Sequence, residues 1–434
     1  MLSNRFVRYI VLIFVLYQYG CSAFNSQTLT NKGAYITAQT GAYIRVNGSV
    51  KNDNSGVITV NGNGVSSNAE LVVSQDIVNN ANINANGFIR LYGDWLDNNT
   101  YTSSTGTVFL QGANQILGGT ATTNFFNLTL DGSGVKTQTI NKYVFGVLDL
   151  KSLELNTSTY GMFVQNASVT AITRTTGYVS SANTGYLSRL TNSTGTYLFP
   201  TGSSANNSAN TSGTGIIRYR PVEVIPTLSS ANTFTARFAN LNATIESFPL
   251  ASYFNTICAL NPLFYHQINR SAGSSSVNLN VYYDPVLDGN WEGLARWDLQ
   301  VGDNLWKPIV GSSTAVASSP FNVASVTNWS NFSAAPYILY NGKPVVTVNC
   351  GGPICPGVAQ TITTTVSPSG TYTYSWSSNP LGFSSSTQSP SVSPTSTTTY
   401  TVVATNSTNN CQSDPTSCNL TVNQSPFINA ISPP

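Results

Sequence analysis

Ala42-Tyr43-Ile44-Arg45-Val46-Asn47-Gly48 is followed by Val57-Ile58-Thr59-Val60-Asn61-Gly62, so that the strings IRVNG and ITVNG begin 14 residues apart. Each is a short run of β-formers closed by Asn-Gly, and the pattern continues outward. Gly87-Phe88-Ile89-Arg90-Leu91-Tyr92-Gly93, Thr107-Val108-Phe109-Leu110-Gln111-Gly112, Asn127-Leu128-Thr129-Leu130-Asp131-Gly132 and Gly146-Val147-Leu148-Asp149-Leu150 repeat it at spacings of about 14 to 20 residues. Alternation with period two marks strands, and Asn, Gly and Asp supply corners that tolerate positive φ. The runs are not joined by hairpin dipeptides in two-residue loops. The pattern therefore predicts a β-solenoid-like stack over residues 24–170, each rung burying its apolar face on the next.

Only 8% of the 434 residues are charged, while Ser, Thr, Asn and Gly fill the chain. No long segment keeps the three-to-four-residue apolar period of a helix, so an all-β chain of two to four domains is expected. The net charge of +2 comes from scattered Lys and Arg. Without a basic cluster interleaved with aromatic residues, nucleic-acid binding is excluded as an expectation.

At the amino terminus Arg5 and Arg8 precede an apolar run over residues 9–17, and Cys21-Ser22-Ala23 supplies small residues. This is the layout of a secretory signal peptide over residues 1–23, cleaved after Ala23, so the secretion machinery is an expected partner. The run is too short for a membrane span. Gln18 and Tyr19 fit a lipoprotein site at Cys21 poorly. The expected location is the cell surface or the extracellular space.

Residues 171–343 are richer in aromatic side chains. Runs such as Thr233-Phe234-Thr235-Ala236-Arg237-Phe238 and Ser276-Val277-Asn278-Leu279-Asn280-Val281-Tyr282-Tyr283 alternate as half-buried strands do, and predict a β-sandwich. The single histidine, His266, lies in a strand-like stretch with no nucleophile motif near it, and reads as a core residue. Asp284, Asp288, Glu292, Asp298 and Asp303 crowd around Trp291, Trp297 and Trp306. Paired carboxylates beside aromatic faces are the equipment of a glycosidase. Asp284, Asp288 and Glu292 are the oxygen ligands a calcium loop would use, calcium being the one cofactor the chain suggests. Trp291, Trp297 and Trp306, if exposed, would stack on carbohydrate. The plainer reading is an inter-strand loop whose tryptophans anchor the sandwich core.

A third region, residues 344–424, follows Asn341-Gly342-Lys343-Pro344, and residues 425–434 read as a linker-like tail. Trp376 sits mid-strand, and Cys355 and Cys411 lie on either side of it, the layout of an immunoglobulin-type core. Of six cysteines, Cys21 leaves with the leader and Cys258 stands alone, so Cys350, Cys355, Cys411 and Cys418 remain with three pairings open. Their spacing does not suit a zinc site.

Gly93-Asp94-Trp95, residues 105–108, 115–119 and 125–130, in that order, resemble repeated segments of large Bacteroidetes cell-surface and secreted proteins. Tyr197-Leu198-Phe199-Pro200-Thr201-Gly202, Tyr219-Arg220-Pro221 and Ala295-Arg296-Trp297-Asp298 resemble the sandwich that follows in those proteins. Ile354-Cys355-Pro356-Gly357 and Tyr374-Ser375-Trp376 resemble their PKD-like, immunoglobulin-like modules. The resemblance implies a central sandwich, a Cys355–Cys411 bridge with Cys350 left for Cys418, and association with type IX secretion. It also implies a non-enzymatic adhesin or spacer whose partners are cell-surface glycans or proteins. Such proteins often carry a sorting domain, which the linker-like tail does not supply, so a longer parent chain is expected.

Overall fold

The computed structural model describes residues 27–203, 217–298, 304–309, 311–316, 319–332 and 336–423. The expected leader and the linker-like tail lie outside the described residues. The chain is almost entirely β, and its first half is a β-solenoid of about 8 turns.

Each coil contributes one strand to each of three faces. The first coil is β1 (Leu29–Lys32), β2 (Tyr35–Ala38) and β3 (Tyr43–Val46). Above β1 stand seven further parallel strands, from Val50–Asp53 to Tyr178–Ser180. The third face runs in the same way from β3 to Ile172–Thr173. The second face is split into a four-stranded sheet, ending at Thr100–Thr102, and a ten-stranded sheet that begins with Thr123–Phe125. Alternate side chains point inward, so Ile58, Ile83, Leu91, Val108, Leu128 and Leu148 form a continuous apolar column. Trp95 plugs it midway, edge-on to Tyr101 at 5.0 Å and tilted against Phe125 at 5.4 Å.

IRVNG and ITVNG turn out to occupy different faces, since Tyr43–Val46 belongs to the third and Val57–Val60 to the second. The 14-residue spacing therefore leads from one face to another, whereas the spacing of about 20 among the runs at Phe88, Thr107, Asn127 and Leu148 is the coil repeat itself, because those strands pair in succession on the third face. In the first four coils the repeat is marked as well by an apolar-x-Asn/Asp step on the first face: Leu29-Thr30-Asn31, Val50-Lys51-Asn52, Ile77-Val78-Asn79 and Trp95-Leu96-Asp97. Successive polar residues of this step are 21, 27 and 18 positions apart.

Those polar residues point inward and form a ladder. Asn31 Nδ2 donates to Asn52 Oδ1 at 2.9 Å, Asn52 Nδ2 to Asn79 Oδ1 at 3.0 Å, and Asn79 Nδ2 to Asp97 Oδ1 at 2.8 Å. Each amide also donates to the carbonyl of a corner residue, Ala34, Asn82 or Thr100. Asp97 ends the series because a carboxylate only accepts. Its second oxygen takes the Thr123 hydroxyl at 2.9 Å, and Thr123 in turn accepts from Trp95 Nε1 and Lys142 Nζ. Burial raises the Asp97 carboxyl and lowers the Lys142 ammonium to about 8. Gly119, next in register, has φ +101° and would place a Cβ 1.9 Å from the Asp97 carbonyl oxygen, so only glycine fits there.

Parallel coil pairing continues beyond residue 170. Ile172–Thr173 pairs with Leu148–Asp149, and Tyr186–Thr191 pairs with Gly161–Val164. The expected boundary at 170/171 thus falls inside the solenoid. Tyr186–Thr191 then takes Asn232–Ala239 antiparallel on its other edge, and the sheet proceeds through Tyr265–Ala272, Pro336–Gly342, Gly293–Asp298 and Leu305–Pro308. A five-stranded antiparallel sheet, Tyr197–Phe199, Val222–Pro226, Val277–Tyr283, Asn322–Trp329 and Ser312–Ala315, completes the sandwich. Solenoid and sandwich share one apolar core that extends from Ala38 to Leu339.

The C-terminal module has a core of its own, built from Val346, Ile362, Trp376, Val392, Tyr400, Val402 and Leu420. Val345–Asn349 pairs with Thr363–Ser367, and Tyr372–Asn379, Thr398–Asn406 and Thr416–Leu420 form a second sheet. Trp376 is buried mid-strand as expected, its Nε1 donating to the Thr387 carbonyl at 2.9 Å.

Candidate functional site

Tyr283 ends a strand, and Pro285–Asp288 forms a single helical turn N-capped by Asp284, whose carboxylate accepts from the amides of Val286 and Leu287. Proline at the first helical position and a carboxylate at the cap make this turn a local consequence of the sequence. The turn carries Asp288 inward, where its side chain is fully buried. One oxygen of Asp288 accepts from Arg218 Nε at 3.2 Å and Arg220 Nη2 at 2.9 Å, and the other from Arg220 Nε and the Asp284 amide. Arg218 also donates to Asn240 Oδ1 at 2.8 Å. Asp288 is therefore the anion of a buried arginine pair.

The three expected calcium ligands do not converge. Asp284 is occupied as a helix cap and Asp288 by the two guanidiniums. Glu292 reaches the other way, accepting from the Gly342 amide at 2.9 Å and from Asn409 Nδ2 at 3.3 Å. Among the described residues no group of three His, Cys, Asp or Glu side chains is placed to hold a metal ion. Asp298 pairs with Lys307 at 3.2 Å, and Asp303 lies outside the described residues.

The tryptophans do not form a sugar platform. Trp306 is completely buried and Trp297 nearly so, and their rings meet edge to face at 5.4 Å rather than lying coplanar. Both belong to a small second core on the outer side of the large sheet, with Leu241, Ile257 and Ile338, covered by Phe248 and Leu250. Trp291 is half-buried against the main core, and its Nε1 donates to the Asp288 carbonyl at 2.8 Å. The correction has a physical reason: Trp297 and Trp306 are register partners on adjacent strands, so both rings leave the sheet on the face that residues 240–256 cover.

His266 is buried between Phe238 and Phe264, and its Nε2 lies 3.0 Å from the Arg220 carbonyl. A carbonyl only accepts, so Nε2 carries the proton. Burial, with the nearby Arg220 charge adding to it, pushes the imidazole down to about 4. The ring is a neutral structural donor that ties one sheet to the other, as its place in the strand pattern suggested.

Of the two expected bridges, Cys350–Cys418 forms and Cys355–Cys411 does not. Cys350 bonds Cys418, but Cys411 bonds Cys258 of the sandwich, and Cys355 is a free, exposed thiol. Cys355 sits on an exposed loop, whereas Cys411 is completely buried where the module faces the sandwich strand Ile257–Leu260. Two further contacts cross the same junction, Glu292 to Asn409 at 3.3 Å and Lys343 to Asp414 at 2.7 Å. Nothing in the spacing of Cys258 announced the bridge. With Cys21 set aside, Cys258 and the four terminal cysteines make an odd number, which requires that one thiol stay free but does not say which. Two cystines point to an oxidising setting. No helix among the described residues is long and apolar enough to cross a membrane.

The charged and aromatic groups that suggested catalysis or ligand binding are thus engaged in the protein's own packing. Comparison with protein-family models, curated proteins and solved structures returned no match.

Proposed function

We propose that the chain is a non-enzymatic exported protein of the cell surface, a stiff spacer that presents its terminal β-module for contact with glycans or proteins of another surface. The observation that carries this reading is the passage of one sheet and one core from the solenoid into the sandwich. A joint of that kind has no flexible linker, so the solenoid's orientation is transmitted to the sandwich. The Cys258–Cys411 bridge extends the constraint to the terminal module. The engagement of Asp288, Glu292 and His266 in structural bonds supports contact rather than turnover. Repeated weak contacts between many displayed copies would supply affinity by multivalency.

Force spectroscopy on residues 24–434, pulled from both ends, tests the spacer reading. The expected trace keeps the solenoid and sandwich together in one event, with the terminal module lengthening fully only after reduction. A compliant joint between solenoid and sandwich at low force would overturn it, as would turnover of glycoside, peptide or ester substrates. A flow-cell assay with the same chain at varied surface density tests the presenting role, with cell capture expected to rise more steeply than density.

A further inference from the structure

The two ends of the solenoid are unlike. At the carboxyl end the last coil is covered: Val179 donates its amide to the Pro200 carbonyl at 2.8 Å, Tyr186–Thr191 is paired by Asn232–Ala239, and Arg174 lies over the Tyr219 ring at 4.1 Å. At the amino end β1, β2 and β3 are each the last strand of their sheet. The interior there opens into an apolar cavity lined by Leu29, Ile36, Ile44, Val50, Ile58 and Leu71. Ile36 and Ile44 are only partly buried, whereas Ile58 and Leu71, their register partners in the next coil, are each 3% exposed. Tyr35 and Tyr43 on the same end are 69% and 59% exposed.

The open edges also have an ordered set of free backbone groups. Leu29 donates its amide to the Ser49 carbonyl, Ala34 and Ala38 accept from Val57 and Asn61, and Ala42 and Val46 accept from Glu70 and Ser74. In a strand the intervening residues point the other way. The amides and carbonyls of Thr30, Lys32, Tyr35, Thr37, Tyr43 and Arg45 therefore face away from the second coil. Three unprotected edges around an apolar centre form an association surface unless something covers them.

The chain ahead of this end is short on the export reading, on which this inference rests. Removal of residues 1–23 leaves Phe24, Asn25 and Ser26 before the first described residue, whereas coils here take 18 to 27 residues. Three residues do not supply a covering coil. A second copy does. A half-turn about an axis perpendicular to the solenoid reverses the circulation of the strands, so two amino-terminal coils brought face to face are antiparallel on all three faces. The free groups then pair, giving on the order of ten backbone hydrogen bonds around a buried apolar centre, the number a standard interface carries. Head-to-tail stacking is barred because the carboxyl end is already covered, so the assembly closes at two. We propose that the open first coil is a self-association face through which two copies of the exported chain join amino end to amino end.

Sedimentation of residues 24–434 over a concentration series tests this directly, since the purified chain begins where the leader would end. The expected result is a reversible dimer that becomes monomeric in the Thr30→Pro/Thr37→Pro variant. Proline at these positions removes only outward-facing amides and leaves the bonds to the second coil intact. Unchanged circular dichroism and melting would show that the variant is folded. In the wild-type chain, hydrogen exchange at the amides of Thr30, Thr37 and Arg45 should slow as concentration rises, a readout that needs no variant. A monomer at about 100 μM, far above the dissociation constants of specific interfaces, overturns the proposal. So does a dimer that persists in the double variant without concentration-dependent protection of these amides. Amino-terminal sequencing of the exported protein separately tests removal of residues 1–23, so failure of the leader reading is distinguishable from failure of the dimer.

Discussion

The solenoid–sandwich unit and the C-terminal module are both β, yet they are secured by different means. In the first, the edge strand Tyr186–Thr191 is parallel to its solenoid neighbour and antiparallel to its sandwich neighbour, so backbone pairing itself crosses the junction. The module shares no sheet with the sandwich and has a separate core. Among the described residues it is attached through the short connection Lys343-Pro344, the Cys258–Cys411 bridge, an exposed ion pair and a side-chain hydrogen bond. Where a sheet continues, cooperativity comes with the fold; where it stops, a covalent bond substitutes for it.

The sharpest way to break that contrast is to remove the bridge. Cys258→Ser/Cys411→Ser opens a link spanning 153 residues, which chain entropy values at about 5 kcal/mol. Calorimetry should then resolve a separate, lower transition for the module, while the solenoid and sandwich still melt together. Next in size, Asp288→Ala leaves Arg218 and Arg220 buried without their anion, at a cost of about 3–5 kcal/mol in urea unfolding of the main unit.

Acid should separate the two regions further. His266 is neutral in the folded chain and takes a proton more readily once unfolded, so its contribution is present above about 6.5 and is lost as pH falls toward about 4. A loss of roughly 3 kcal/mol is expected over that window. It should fall on the solenoid–sandwich transition and be absent in His266→Gln, with the module's transition unmoved by the substitution.

Two smaller effects complete the series. Asn79→Ala interrupts the ladder between Asn52 and Asp97 and should cost about 1–3 kcal/mol, again confined to the main unit. Lys343→Ala removes the exposed pair with Asp414 and should change stability by no more than about 1 kcal/mol, visible only in the module's transition.

The all-β class, the short strands closed by Asn and Gly, the stacked solenoid, the structural His266 and the buried Trp376 were legible, because each depends on local pattern. The coil register was legible only from residue 87 onward, where the runs recur about every 20 residues on one face. Ahead of it, strings that look alike, IRVNG and ITVNG, lie on different faces, and the repeat is marked by a single inward Asn or Asp after an apolar-x step. Similarity of strands reports what every face of a solenoid needs; in the unevenly spaced first coils the buried polar residue reports the phase. The acidic, tryptophan-rich loop misled for a related reason. Composition placed carboxylates and indoles together, but the register pair Trp297–Trp306 and the cap at Asp284 decided where each points. Cys258 depended on a contact between regions that no local pattern specifies.

The amide ladder also gives the solenoid a direction of completion. Every Asn hands its hydrogens toward the carboxyl end, and the series is satisfied only at Asp97 and Thr123 in the middle of the stack. A chain delivered amino end first presents Asn31 before Asn52 has arrived, and Asn79 before Asp97. Each Asn meets its acceptor when the next coil is laid down, so the row closes one coil at a time and terminates at Asp97, which accepts without passing a hydrogen on.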